Sequence, residues 1–81
     1  MSAQLPTRPV ILGWFEEAVE RPLREDQDYF DQGGDSLSTI EIIDRVEKEC
    51  GVAVPASVFF DSSRVSDLLD EFLRRLAPTG E

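Results

Sequence analysis

Apolar residues recur every three or four positions in three separate stretches of this chain, and that periodicity restricts it to packed helices. The first stripe is Val10, Ile11, Trp14, Phe15, Ala18 and Val19, with Glu16, Glu17 and Glu20 on the opposite face. Pro9 suits a first helical position, with Thr7 or Arg8 at the cap, and Pro22 ends the segment. Trp14 lies inside the stripe, which predicts core packing. The second helix is predicted from Ser36 to Cys50, closed by Gly51. On a helical wheel Thr39, Ile42, Ile43, Val46 and Cys50 share its core face. A third stripe, Val65, Leu68, Leu69, Phe72, Leu73 and Leu76, follows possible caps at Asp61-Ser62-Ser63. Asp67 stands near its start and Arg74 and Arg75 near its end, matching the helix dipole.

The connections are also informative. Residues 21–35 make a long link for a bundle, where about 2–8 residues are usual. Leu23, Tyr29 and Phe30 are expected to pin it over the core. Asp26, Asp28, Asp31 and Asp35 invite a calcium loop, but counting from Asp26 puts Phe30 fifth and Asp31 sixth, where an oxygen ligand and a glycine are needed. Solvated loop acids are the better reading. Val52-Ala53-Val54-Pro55 reads as extended. Ala56–Phe60 reads as one helical turn that sets Val58, Phe59 or Phe60 against the bundle. The architecture is thus a small all-α four-helix bundle, three helices long and one short. The domain spans 9–77, with tails at 1–8 and 78–81.

With 81 residues, one domain of about 5 kcal/mol stability is expected, too small for a core and a deep cleft together. The chain has 17 acidic and 8 basic residues, for a net charge of −9. Such a surface disfavours nucleic acid and anionic membranes and favours basic patches on other proteins. Cys50 is the single cysteine, so no internal disulfide forms, and it reads as a small buried hydrophobe. Neither a signal-type apolar region nor a run of membrane-spanning length is present, which implies a soluble cytoplasmic protein. Met1-Ser2 reads as a natural start and suits a free-standing protein; a part of a larger enzyme fits the same residues.

Histidine is absent. Ser-His-Asp and Cys-His nucleophiles are therefore excluded, as are histidine metal ligands. Lys48, the only lysine, lies twelve residues after Ser36, about 18 Å along a helix and too far to activate it. No catalytic residue and no metal site is expected.

The remaining chemistry centres on Gly33-Gly34-Asp35-Ser36-Leu37, where the long link meets the second helix. The glycines allow positive φ and close backbone approach. Ser36 falls at the cap or first turn, where a phosphodiester would meet free amides and the positive dipole end. An ordinary N-cap serine after a Gly-Gly loop fits the same five residues. Leu37 and Ile40 fall off the core face beside Glu41, Asp44 and Glu47. That arrangement predicts a docking surface, with ordinary surface apolarity or contacts to the long link as the alternative.

Taken together, Tyr29-Phe30-Asp31-Gln32-Gly33-Gly34-Asp35-Ser36-Leu37, Ile40-Glu41-Ile42-Ile43, Cys50-Gly51-Val52-Ala53-Val54-Pro55 and Val58-Phe59-Phe60 resemble the acyl and peptidyl carrier proteins over residues 9–77. The resemblance implies a non-catalytic carrier with 4′-phosphopantetheine, taken from coenzyme A, on Ser36. A separate Mg²⁺-dependent phosphopantetheinyl transferase would attach it. Gly33, Gly34 and Asp35 would present the serine, and Leu37, Ile40, Glu41, Asp44 and Glu47 would face partners. The arm would hold an acyl, aminoacyl or peptidyl thioester. The implied partners are an adenylation or ligase enzyme, or an acyltransferase, for loading, and condensing or tailoring enzymes afterwards. The carrier itself would be a monomer that binds neither nucleic acid nor membrane.

The Gly-Gly pair resembles carriers of nonribosomal peptide or aminoacyl groups, whereas the acidic second helix is more like discrete fatty-acid and polyketide carriers. Asp44 departs from the apolar residue frequent there in fatty-acid carriers. Natural-product synthesis, peptide or polyketide, is the favoured pathway. A D-alanyl or fatty-acyl carrier is the alternative within the family. Outside it, an unmodified acidic interaction domain would use Ser36 only as a helix cap.

Overall fold

The computed structural model describes residues 6–76, so the expected tail at 78–81 and most of that at 1–8 lie outside the described residues. Four helices follow in order: α1 Arg8–Val19, α2 Ser36–Cys50, α3 Ser57–Asp61 and α4 Val65–Leu76.

Thr7 caps α1 in an extended conformation, which places Arg8 rather than Pro9 at the first helical position. Pro9 still falls in the first turn, where its missing N–H costs nothing. The helix ends at Val19, three residues before Pro22: Glu20 turns left-handed (φ 62°) and its N–H closes on the Glu16 carbonyl at 2.7 Å. Ile11 and Phe15 are fully buried, whereas Trp14, Ala18 and Val19 are half-buried and Val10 is exposed. The expected stripe was therefore too wide. Trp14 sits on the flank facing α2, with the Arg45 guanidinium 5.1 Å from its ring centre.

In α2 the predicted limits hold, and Gly51 closes it at φ 73° with its N–H on the Glu47 carbonyl. Thr39, Ile42 and Val46 are buried, but Ile43 and Cys50 are only half-buried, because the buried line runs along one edge of the expected face. Burial pushes the Cys50 thiol up from its ordinary range, which makes it a weak nucleophile at neutral pH.

The short helix α3 starts one residue later than expected and divides its side chains between two environments. Val58 and Phe59 are buried; Phe60 points out. Phe59 completes an aromatic cluster with Phe15, Tyr29 and Phe72, at ring separations of 5.8, 5.1 and 5.7 Å. Those four rings come from α1, the long link, α3 and α4, so the link is part of the core rather than a cover over it. In α4 Val65, Leu68, Leu69, Phe72 and Leu76 are buried, with Leu73 packed against them.

Backbone pairing that the sequence did not signal stitches the long link to the start of α4. Asp28 and Arg64 form an isolated antiparallel bridge. Tyr29 N–H donates to the Ser63 carbonyl at 2.8 Å and Val65 N–H to the Gln27 carbonyl at 2.9 Å. Ser66 N–H reaches the Glu25 carbonyl at 3.0 Å. The first amides of α4 are thus satisfied by link carbonyls, not by the expected caps. Ser62 and Ser63 donate instead to the carboxylates of Asp67 and Asp28.

Arg8 adds a second tie. Its guanidinium holds both Glu25 oxygens at 2.8–3.0 Å, Asp70 at 2.6 Å and the Ser66 carbonyl at 3.2 Å. The side-chain bond from Arg8 keeps the Glu25 carboxyl below its usual range, and the Arg8 guanidinium is held further toward its charged form.

Candidate functional site

The link reaches α2 through a turn that two glycines make possible for different reasons. Gly33 sits at φ 101°, in the left-handed region, with open space around it. Gly34 does not need positive φ; a Cβ there would overlap the ring of Tyr29. The close approach expected at the glycines is made by the chain's own tyrosine. The Gly34 N–H also bonds to the Tyr29 carbonyl at 3.0 Å.

Asp35, not Ser36, caps α2. Its Oδ1 accepts the Ser38 N–H at 2.9 Å, and the Ser38 hydroxyl accepts the Asp35 N–H at 2.9 Å, a reciprocal capping box. Ser36 is consequently the first helical residue, exposed, with no side-chain hydrogen bond among the described residues. The reading of Ser36 as an ordinary cap fails because its neighbour takes that position.

Beneath the turn lies a buried hydroxyl chain. Ser38 donates to the Asp35 carbonyl at 3.1 Å, so its oxygen is left to accept from the Tyr29 hydroxyl, 2.5 Å away. Thr39 stands 3.1 Å from the same tyrosine oxygen and completes the chain. Every buried side-chain polar atom here has a partner. Burial, above all, raises the Tyr29 hydroxyl above its ordinary pKa.

Electrostatically the turn favours an anion on Ser36. Thr39 N–H is taken by the Asp35 carbonyl and Ser38 N–H by its carboxylate. The Ser36 and Leu37 amides have no such partner among the described residues. Exposed hydroxyl, free first-turn amides and positive dipole end together fit a phosphodiester.

Of the loop acids, Asp26, Asp31 and Asp35 are exposed, but Asp28 is half-buried. It accepts from Ser63 and from the Asp31 amide, and chiefly the Ser63 bond holds its carboxyl below the usual range. No cluster of three or more metal-ligating side chains occurs among the described residues.

Beyond Ser36, α2 turns Leu37 and Ile40 outward, 66% and 60% exposed, beside the exposed Glu41, Asp44 and Glu47. Asp44 pairs with Lys48 at 3.1 Å, while Arg45 turns away to Glu17 and Glu49. Phe60 is 72% exposed and stacks on Phe30 at 5.8 Å, with ring planes 14° apart. The Val58-Phe59-Phe60 run concealed it, because one helical turn buries only part of three consecutive apolar residues. A groove of about 400 Å³ lies elsewhere, along Val58, Ser62, Asp67, Glu71 and Arg74. Within it Glu71 holds Arg74 and Arg75, and Asp67 accepts from the Ser62 hydroxyl.

Comparison with known proteins agrees with this geometry. BlmI, a type-II acyl carrier protein from Streptomyces verticillus involved in bleomycin biosynthesis, superposes with a TM-score of 0.75 at 22% identity, over 86% of each chain. The peptidyl carrier protein in the complex of the phosphopantetheine transferase Sfp with coenzyme A gives 0.75 at 18% identity, over 93% of this chain and 100% of that one. At that identity the likeness concerns the fold. In sequence, the non-reducing polyketide synthase stmB of Aspergillus ustus is 52% identical over 40 residues, which cover 49% of this chain and 2% of the synthase. The family described as "Phosphopantetheine attachment site" matches residues 10–72. The matched residues run from α1 into α4 and include the Gly-Gly-Asp-Ser turn: the chain belongs to the phosphopantetheine attachment family and is a carrier domain for that covalently held group.

Proposed function

We propose that Ser36 is the residue that takes the phosphopantetheine group, through its hydroxyl, from coenzyme A. The observation that carries this reading is the Asp35 cap, which leaves the Ser36 hydroxyl exposed and uncommitted at the first helical position. In the reaction the serine oxygen bonds to the β-phosphorus of coenzyme A. The bond from that phosphorus to the bridging oxygen breaks, and 3′,5′-ADP leaves with the electron pair. The serine proton goes to a base on the transferase: this chain has no histidine, its lysine is remote, and the Asp35 carboxylate is engaged by the Ser38 amide. When bound, the group supplies a terminal thiol for a thioester. What the chain itself supplies is placement: Gly33 and Gly34 form the turn, Asp35 fixes it, and the Ser36 and Leu37 amides face the phosphodiester.

Leu37, Ile40 and Phe60, bordered by Glu41, Asp44 and Glu47, form the face for the transferase and for loading and condensing enzymes with basic rims. A natural-product pathway, polyketide or nonribosomal peptide, follows from the partial match to the synthase and the fold shared with BlmI. A cytoplasmic setting, where coenzyme A is supplied, and a monomer without catalysis of its own complete this reading. Among the described residues no helix is long and apolar enough to cross a membrane.

The test is intact mass after incubation with coenzyme A, Mg²⁺ and a broad-specificity transferase. Wild type should gain one phosphopantetheine and Ser36→Ala none, with both proteins helical. Modification of Ser36→Ala, or of another serine, would refute the assignment.

A further inference from the structure

We infer that Tyr29 is a positioning residue for the modification of Ser36, acting through its hydroxyl on Ser38; this rests on the reading of Ser36 as the attachment residue. Tyr29 is fully buried and belongs to the central aromatic cluster, in contact with Phe15 and Phe59. Its ring occupies the space above Gly34, its carbonyl holds the Gly34 amide, and its hydroxyl meets Ser38 and Thr39. Ser38 in turn holds the Asp35 amide and carbonyl. Gly34 and Asp35, the two residues before Ser36, are therefore each held by a bond that leads back to one residue rooted in the core, Gly34 through the Tyr29 carbonyl and Asp35 through its hydroxyl on Ser38.

Packing alone does not require this arrangement. A phenylalanine would fill the same cluster and still exclude a Cβ at Gly34, but it could not donate to Ser38. The hydroxyl is therefore separable from the ring. It completes the acceptor capacity of the Ser38 oxygen, which fixes that side chain in the rotamer needed by the capping box. A transferase must accept Ser36 with its oxygen in one place. A turn ordered in advance spares the complex the entropy of ordering it at docking. Loss of the hydroxyl should then appear as weaker productive docking, a rise in KM, with little change in kcat once the serine is seated.

Tyr29→Phe and Ser38→Ala test this in the whole chain. Amide exchange followed by NMR on the unmodified protein should show Asp35, whose amide bonds to the Ser38 hydroxyl, exchanging about five-fold faster, the factor one ordinary hydrogen bond is worth. Buried amides of α4 should change only as global stability does. With a transferase and coenzyme A, KM for each variant should rise by about the same factor. The double variant should be no worse than Ser38→Ala alone, which already removes the group on which the tyrosine hydroxyl acts. Unchanged protection at Asp35 in Tyr29→Phe, or a wild-type KM in that variant, would overturn the inference. Failure of wild type to be modified at Ser36 would instead overturn the attachment assignment, and the exchange measurement, which needs no transferase, would still decide whether the hydroxyl orders the turn. Should Tyr29→Phe melt below the working temperature, both measurements are made on it at a lower temperature, because Ser38→Ala removes the Asp35 amide's acceptor outright and does not isolate the tyrosine hydroxyl.

Discussion

A Cβ on Gly34 would overlap the ring of Tyr29, whereas one on Gly33 would meet nothing within 4 Å. Adjacent glycines thus serve different ends: Gly34 makes room, and Gly33 supplies a left-handed backbone at φ 101°. Gly34→Ala should cost about 1–3 kcal/mol as an overpacking change, and Gly33→Ala about 1–2 kcal/mol as a backbone change. Urea midpoints measure both, and a Tyr29→Leu background separates them. Removing the ring should relieve Gly34→Ala by at least about 0.5 kcal/mol and leave the Gly33 cost additive. Equal costs in both backgrounds would show that the ring does not confine Gly34.

Neighbouring isoleucines of α2 should respond in opposite ways. Ile42 is buried to 1% exposure and Ile40 is mostly exposed. Ile42→Ala should cost about 2–5 kcal/mol, enough to threaten a domain of this size. Ile40→Ala should cost under about 1 kcal/mol and yet slow transfer by partner enzymes. The half-buried Ile43 should fall between them. Urea melts beside transferase kinetics check all three. An Ile40 variant that loads at the wild-type rate would remove that residue from the partner face.

Alkaline stability should report on Tyr29. Its folded pKa is raised, chiefly by burial, so the folded state retains the proton where the unfolded chain releases it. The contribution is complete below the unfolded value of about 10 and is lost as pH rises through the folded value. Tyr29→Phe should flatten the decline in urea midpoint above about pH 10 while leaving the shape near neutrality unchanged. An equally steep decline in the variant would assign the alkaline loss to other groups.

Local patterns made much of this fold legible in the sequence. The limits of α2 followed from a glycine and a serine-containing turn, and the α4 stripe followed from simple spacing. Where the reading stayed open or was too wide, local preferences competed. Asp35 and Ser36 are both good caps, and the choice rests on Ser38, three residues after Asp35, closing the box. Val10 and Ile43 fit their stripes, but which edge of a stripe is buried depends on the neighbouring helices. Least visible were the contacts between remote segments. Arg8 meets Glu25 and Asp70 across 17 and 62 residues, and the start of α4 takes its backbone partners from the link. Spacing along one helix carries no trace of such pairs. At the site, the Gly-Gly-Asp-Ser turn was evident, but the tyrosine beneath it read only as an apolar anchor.

Charge on α2 gives the remaining prediction. Glu41, Asp44 and Glu47 stand exposed beside Leu37 and Ile40. If they steer basic partners, exchanging all three for lysine should lower kcat/KM for modification through slower encounter. The wild-type rate should also fall with salt, as the Debye length shrinks from about 10 Å at 0.1 M to about 3 Å at 1 M. Stability should respond in the opposite sense. Salt screens self-repulsion in a chain of net charge −9, so Tm should rise. Each exchange shifts the net charge by two units toward neutrality, so the triple variant suffers less repulsion than wild type. Against that stands the exposed Asp44–Lys48 pair, whose loss costs a few tenths of a kcal/mol. Arg45 is not affected directly, since its partners are Glu17 and Glu49. Transferase kinetics and thermal melts across a salt titration separate the two effects. A slower variant with an undiminished Tm, and a wild-type rate that falls with salt, assigns these acids to partner encounter. A rate indifferent to salt and to the exchange would leave them the role of keeping the chain soluble.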